Sequence, residues 1–279
     1  MNHKLLALYG LKYNPFSPEL PHEALFVSAP VEHFCWRIEN ALIREGGFAL
    51  VSGDPGTGKS VVLRLLARRL AEQREVTVGA ITHPSANLAD FYREMGELFG
   101  VVLRPHNRWG GFKALRERWL AHLDATLIRP ILLVDEAQEM QPAVLNELRL
   151  LSSTDFDSRS ILSVVLAGDG RLLQQLRRDD LLPLGSRIRT RLALEAASRQ
   201  NLVDCLLHLQ RAAGQPHLMT TELVDTLADH ALGNYRVLTT LANDLLATAM
   251  RDERTVLDEH LYLECFGAPA RANRRATQR

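Results

Sequence analysis

Eight consecutive residues, Gly53-Asp54-Pro55-Gly56-Thr57-Gly58-Lys59-Ser60, run in the order G-x-x-x-x-G-K-S, and that order suits a phosphate cradle. The glycines let the backbone curl until successive N–H groups converge on phosphate oxygens, and the positive end of a following helix adds to the pull. Lys59 can reach the β and γ phosphates of a nucleotide, the Ser60 hydroxyl can ligate Mg²⁺, and Val61 carries the loop into the helix. A second pair of groups, Asp135 and Glu136, ends the apolar run ILLV. A carboxylate at the carboxyl end of a buried strand is expected beside the phosphate loop of a neighbouring strand, where Asp135 holds Mg²⁺ directly or through water. Glu136 then stands where it can polarise a water for attack on the γ phosphate. Two adjacent carboxylates favour hydrolysis of ATP over phosphoryl transfer to a small molecule.

Such groups need elements to hold them. The apolar run 48–53 reads as a buried strand, followed by a helix over 59–73 with Val62, Leu65, Leu66 and Arg69 at helical spacing. Further strands are expected at 76–82, 131–136 and 162–168, with helices at 87–99 (capped by Asn87), 110–128 and 142–152. Strands alternating with helices make this an α/β fold, a parallel sheet flanked by helices. After about residue 195 the pattern changes to successive helices, near 199–213, 220–232, 235–250 and 256–266. The expected organisation is a lead-in and first helix of the ATPase module over 1–46, an α/β nucleotide-binding domain over 47–197, a small all-α lid over 198–267 and a basic flexible tail over 268–279.

Composition narrows the function. The 279 residues carry 33 Lys plus Arg against 33 Asp plus Glu, so a uniformly basic coat for nucleic acid or anionic membrane is excluded. All but four of the basic residues are Arg, the side chain suited to bidentate contacts and interfaces. Cys35, Cys205 and Cys265 are odd in number and widely spaced, as expected of reduced thiols in a cytoplasmic protein. No window approaches the ~18 apolar residues of a membrane span, and residues 1–8 do not form a secretory leader.

Four stretches together resemble the AAA+ ATPases, in the branch of the ExeA-type secretion ATPase and the TnsC, TniB and IstB transposition regulators. They are Tyr9-Gly10-Leu11-Lys12-Tyr13-Asn14-Pro15-Phe16, the phosphate loop with Asp135-Glu136-Ala137-Gln138, the Arg-rich Ser186 to Arg191, and Gly233-Asn234-Tyr235-Arg236. The resemblance implies an arginine that reaches into the neighbouring subunit's nucleotide, best placed at Arg187, with Arg191 or Arg189 as alternatives. It implies that Arg236 touches the γ phosphate from the lid. It sets Asp169 where the family usually has a neutral polar residue that senses nucleotide, so Asp169 either orients water through another group or caps the following helix. The Asn14-Pro15-Phe16 turn would lie near adenine, or serve as a packed N-terminal turn.

The same resemblance implies ring or helical homo-oligomers. Because the chain continues into neither a membrane span nor an envelope-binding region, the expected task is that of a transposition regulator. Such a protein would bind duplex DNA largely independently of sequence and recruit a transposase. The alternatives are an ExeA-like ATPase serving secretion without DNA, and a non-oligomeric kinase-like enzyme. Arg104, His106, Arg108, Trp109, Lys113, Arg116 and Arg118 form a basic, aromatic-containing stretch that could track phosphates or be a plain amphipathic helix. The polar loop 154–160 could face a central channel.

Overall fold

The computed structural model describes residues 2–81, 84–103, 107–125, 128–156 and 158–267. The helices are α1 (Asn2–Tyr9), α2 (Ala29–Arg37), α3 (Ile43–Glu45), α4 (Lys59–Ala71), α5 (Leu88–Phe99), α6 (Arg108–Ala125), α7 (Pro142–Leu151), α8 (Gly170–Gln175), α9 (Leu182–Gly185), α10 (Arg199–Ala212), α11 (Thr221–His230), α12 (Tyr235–Arg251) and α13 (Glu259–Phe266). The strands are β1 (Gly47–Gly53), β2 (Val76–Ile81), β3 (Arg129–Val134), β4 (Ser153–Thr154), β5 (Arg159–Ser160), β6 (Ser163–Gly168) and β7 (Ile188–Leu194). The chain forms two compact units, residues 27–196 and residues 1–26 with 197–279.

The unit of residues 27–196 holds a five-stranded parallel sheet in the order β2-β3-β6-β1-β7. β6 is buried along its whole length, as a strand covered on both faces must be. Its Leu166 shares a core with Phe48, Leu50, Met95, Trp119 and Leu145, all at most 1% exposed. β4 and β5 form a separate antiparallel hairpin.

Several expectations are corrected. The run 131–136 leaves the sheet at Val134, because Glu136 takes a left-handed conformation with φ 50° that no strand can continue. β3 is not the hydrogen-bonded neighbour of β1, since β6 lies between them. β7 is a fifth strand; only Ile188, Thr190 and Leu192 point inward, so its sequence IRTRLAL lacks the apolar run that marks the central strands. The helix expected from 110 begins at Arg108, which puts Gly110 and Gly111 in its first turn. A Cβ on Gly111 would come within 2.9 Å of Cδ1 of Tyr92, so this glycine permits close approach of α5 and α6. In α4 the buried stripe closes on Leu70 rather than Arg69, whose guanidinium pairs with Glu32 and Glu39. Asn87 caps α5 as expected, its side chain accepting from the N–H groups of Ala89 (2.9 Å) and Asp90 (3.1 Å).

In the other unit, α10 to α13 each start on a side-chain cap, Ser198, Thr220, Asn234 and Asp258 respectively, which explains why four helices follow one another with short links. The last begins at Glu259 rather than near 256, because Leu257 is held in backbone hydrogen bonds with Leu218 and Thr220. Residues 1–26 group with these helices, not with 27–46. Tyr9, Leu11 and Phe16 enter the same core as Leu206, Leu227 and Leu245, the Tyr9 hydroxyl donates to the Arg254 carbonyl (2.7 Å), and the Lys12 N–H donates to the Ala213 carbonyl (3.0 Å). All three cysteines are free thiols; burial pushes the Cys35 thiol up to about 11 and the Cys205 thiol up to about 12. Among the described residues no helix is long and apolar enough to cross a membrane.

Candidate nucleotide site

The phosphate loop joins β1 to α4. Gly56 and Gly58 both lie at positive φ (85° and 104°), the conformations that turn the chain back on itself and aim its N–H groups inward. Gly53 is required for a different reason: a Cβ there would meet the Leu194 carbonyl oxygen at 2.5 Å. Thr57 is buried and braces the loop, its Oγ1 donating to the Asp54 carbonyl (2.8 Å). Lys59 is 6% exposed, and its Nζ donates to the carbonyls of Gly53 (2.9 Å) and Asp54 (3.1 Å). An ammonium this enclosed, held by neutral oxygens at the mouth of a helix, fits an anionic phosphate. Asp54, Pro55, Ser60 and Val61 form the exposed lip of the loop.

The carboxyl ends of β1, β6 and β3 carry the loop, Asp169 and the Asp135-Glu136 pair in that spatial order. Two strand intervals of about 4.8 Å separate β1 from β3, so the phosphate loop and the acidic pair are carried on strand ends about 10 Å apart, with β6 between them. Asp135 is half-exposed and Glu136 exposed; the Glu136 N–H donates to Oδ1 of Asp135 (2.9 Å). Among the described residues no group of three or more His, Cys, Asp or Glu could hold a metal alone. The Ser60 hydroxyl and Asp135 carboxylate are hard oxygen donors that suit Mg²⁺, a cation that completes its shell with phosphate oxygens and water.

Asp169 caps α8, accepting from the Arg171 N–H (2.8 Å) and from its Nε (2.9 Å). Burial raises its carboxyl pKa, but the Arg171 hydrogen bonds and the charges of Arg171 and Lys59 outweigh burial and hold it below the usual carboxylate range. The capping alternative is the one the geometry displays. Sequence reading missed Gln138, which is 5% exposed and donates through Nε2 to Oε2 of Glu136. Its signal in the sequence is its place at the end of the Asp135-Glu136-Ala137-Gln138 stretch, which by itself assigns it no role.

The three arginines of 186–191 lie at and along the edge strand. Arg187 is half-buried and donates to the Arg149 carbonyl (3.5 Å), whereas Arg189 and Arg191 are exposed, the former paired with Glu45 (3.3 Å) and the latter donating to the Gly185 carbonyl (3.0 Å). In the other unit Arg236 is exposed at the start of α12, where the Asn234 side chain accepts from its N–H (2.9 Å). There the Asn14 amide donates to Asn243 (2.8 Å) and accepts from the Phe16 N–H (3.0 Å); the Phe16 ring is 3% exposed and belongs to that unit's core.

Three of the basic residues in this stretch, Arg108, Lys113 and Arg116, are engaged within the fold. Arg108 forks onto Glu147, whose side chain is 3% exposed, and the Tyr92 hydroxyl donates to the same carboxylate (2.5 Å). Arg116 donates to the carbonyls of Leu150 (3.0 Å) and Ser153 and stacks 5.1 Å above Phe112. Lys113 faces Glu117 (3.7 Å). Arg104 and His106, like Asp157 and residues 268–279, fall outside the described residues. What this segment presents is aromatic: Trp109 (73% exposed) and Phe156 (107%) flank an open groove of about 650 Å³ beside Phe112 and Leu150. Replacing Arg108 by Ala leaves Glu147 without its guanidinium, and a urea titration should register a loss of about 1–2 kcal/mol. An unchanged midpoint would show that the pair is not structural.

Comparison with known proteins places these features. Residues 43–176 match the model of a family described as an AAA domain. The chain is 32% identical over 246 residues to general secretion pathway protein A of Aeromonas hydrophila, covering 86% of this chain and 44% of that relative, so it spans less than half of the relative's length. Among solved structures, the fold matches Cdc6p of Pyrobaculum aerophilum (TM-score 0.70, 18% identity, 87% of this chain and 67% of that one). It also matches the Drosophila origin recognition complex bound to DNA (TM-score 0.67, 19% identity, 94% of this chain and 64% of that one).

Proposed function

With an AAA domain on residues 43–176, this chain is a P-loop ATPase, and from that premise we propose an ATP-driven assembly factor whose catalytic sites are completed between subunits. One observation carries the proposal. β7 runs parallel to β1, with Ile188 paired to Phe48 and Leu194 to Gly53, so Arg187 stands level with Gly47 at the amino end of the sheet. The phosphate loop begins at Gly53, six residues further on, which at about 3.3 Å per residue is about 20 Å away. That exceeds the length of an arginine side chain. Arg187 is therefore out of reach of its own phosphates, which supports assigning it to the nucleotide of another subunit, and of the three arginines it is the one furthest from its own loop.

In this reading the loop from Gly53 to Ser60 grips the phosphates, Lys59 neutralises them, Asp135 and Ser60 hold Mg²⁺, and Glu136 accepts the proton of the attacking water. Bound Mg²⁺ supplies charge neutralisation on the phosphate oxygens. The assembly forms in the cytoplasm on duplex DNA and recruits a transposase. Support comes from the fold shared with a recognition complex whose structure was solved on DNA. Because Arg108, Lys113 and Arg116 are engaged within the fold, the DNA contact is weak per subunit and gains strength by repetition through the oligomer. Filter retention of duplex DNA should require a non-hydrolysable ATP analogue and fall steeply with salt. Retention that ignores nucleotide would contradict the proposal.

A second reading is favoured by the 32% identical secretion relative: the same ATP-driven assembly, serving a protein-export machine without DNA. Nucleotide-dependent oligomers that retain no DNA at low salt would select it.

A further inference from the structure

We infer that Gln138 is a positioning residue for hydrolysis, one that fixes the carboxylate of Glu136 and ties it to the end of β6. The inference rests on Glu136 acting on the attacking water. Glu136 begins with a mobility problem: it is exposed, it lies just past the last strand residue, and its φ of 50° belongs to a backbone region that non-glycine residues rarely occupy. A carboxylate in that setting samples several rotamers unless something holds it.

Gln138 supplies the hold. Its side chain is buried, and both ends of its amide are engaged: Nε2 donates to Oε2 of Glu136, while Oε1 accepts from the Asp169 N–H at 3.2 Å. The two partners fix the amide's orientation. Reversed, it would set an oxygen against the carboxylate and an NH₂ group against the backbone N–H. The backbone of Gln138 is held as well, its carbonyl accepting from Nε2 of Gln175 on α8 at 3.0 Å. Space for the amide comes from Gly168, where a Cβ would stand 2.7 Å from Oε1 of Gln138. With Oε2 occupied, the other oxygen of Glu136 is left for the water. The same amide ties this carboxylate to Asp169, the residue level with the gap between the phosphate loop and Asp135.

Three variants test this. Gln138→Leu removes donor and acceptor at similar volume; kcat for ATP should fall about 10- to 100-fold, a fraction of the general-base effect, with KM and the affinity for a fluorescent ATP analogue within about threefold. Gln138→Glu keeps the shape, but its new carboxyl donates only when protonated. Burial and the adjacent Glu136 carboxylate raise that carboxyl above the usual carboxylate range, so its kcat relative to the unaltered protein should recover as pH falls from about 8 to about 6, while the Gln138→Leu deficit stays constant. Gly168→Ala crowds the amide and also the buried Leu172 side chain, whose Cδ2 a Cβ would meet at 2.7 Å, so it should lower kcat and the melting temperature together while ATP affinity stays within about threefold. Thermal melts read the stability of each variant, because a merely structural role would lower the melting temperature and affinity together and leave no pH-dependent recovery. A Gln138→Leu protein with kcat within twofold of normal, or with kcat raised, overturns the inference. If Glu136→Gln is itself fully active, it is the premise about Glu136 that has failed.

Discussion

Replacing Glu136 by Gln lowers the ATP turnover number by about two to three orders of magnitude and leaves ATP affinity within about threefold. The substitution keeps the shape and the left-handed backbone but removes the negative oxygen that accepts the water's proton. Nothing in the grip on phosphate changes: the loop glycines, the enclosed Lys59 ammonium, Ser60 and the Asp135 carboxylate all remain. Lys59→Ala should behave oppositely, losing affinity because the only cation buried within the loop is gone. Phosphate-release kinetics and an equilibrium titration with labelled nucleotide separate the two. Loss of ATP binding by Glu136→Gln would contradict the division of labour between Asp135 and Glu136.

Arg187→Ala should lower kcat by about a thousandfold, the lower range for an arginine that stabilises phosphoryl-transfer charge. Its distinguishing property appears on mixing. Glu136→Gln subunits keep Arg187 but cannot turn over their own nucleotide; Arg187→Ala subunits keep Glu136 but lack the arginine to offer. If Arg187 acts across the interface, random mixing builds a complete site at about one interface in four, and the mixture recovers about a quarter of normal activity from two nearly inactive proteins. A group acting within its own chain gives no recovery. The register of β7 against β1 keeps Arg187 from its own phosphate loop, because no rotamer of Arg187 spans six strand residues. Arg189 and Arg191, exposed on the edge strand and engaged with Glu45 and Gly185, should have smaller effects.

The parts of this site that could be read from sequence are those whose chemistry is contiguous. The phosphate loop is eight neighbouring residues with a strand before and a helix after, and Asp135-Glu136 follows an unbroken apolar run. The strands buried on both faces announce themselves by such runs, whereas β7 was missed because an edge strand alternates, and arginine at every second position disguised it. Long-range pairings were invisible. Arg108 looked like a phosphate contact because its true partner, Glu147, lies 39 residues away. Residues 1–26 looked like the start of the ATPase module because their docking partners lie near the other end of the chain. Gln138 sat in plain view beside Glu136, but its second partner, the Asp169 N–H, is brought to it only by the placement of β6 next to β3.

In the proposed function ATP builds this chain into an oligomer on duplex DNA, with each catalytic site completed by a neighbour. Electron microscopy of the unaltered protein with a non-hydrolysable ATP analogue and duplex DNA tests it most directly. The expected images show rings or helical assemblies threaded on the DNA, absent without nucleotide and restored by the Glu136→Gln protein with ATP. Monomers alone, at saturating analogue and DNA, would contradict the claim.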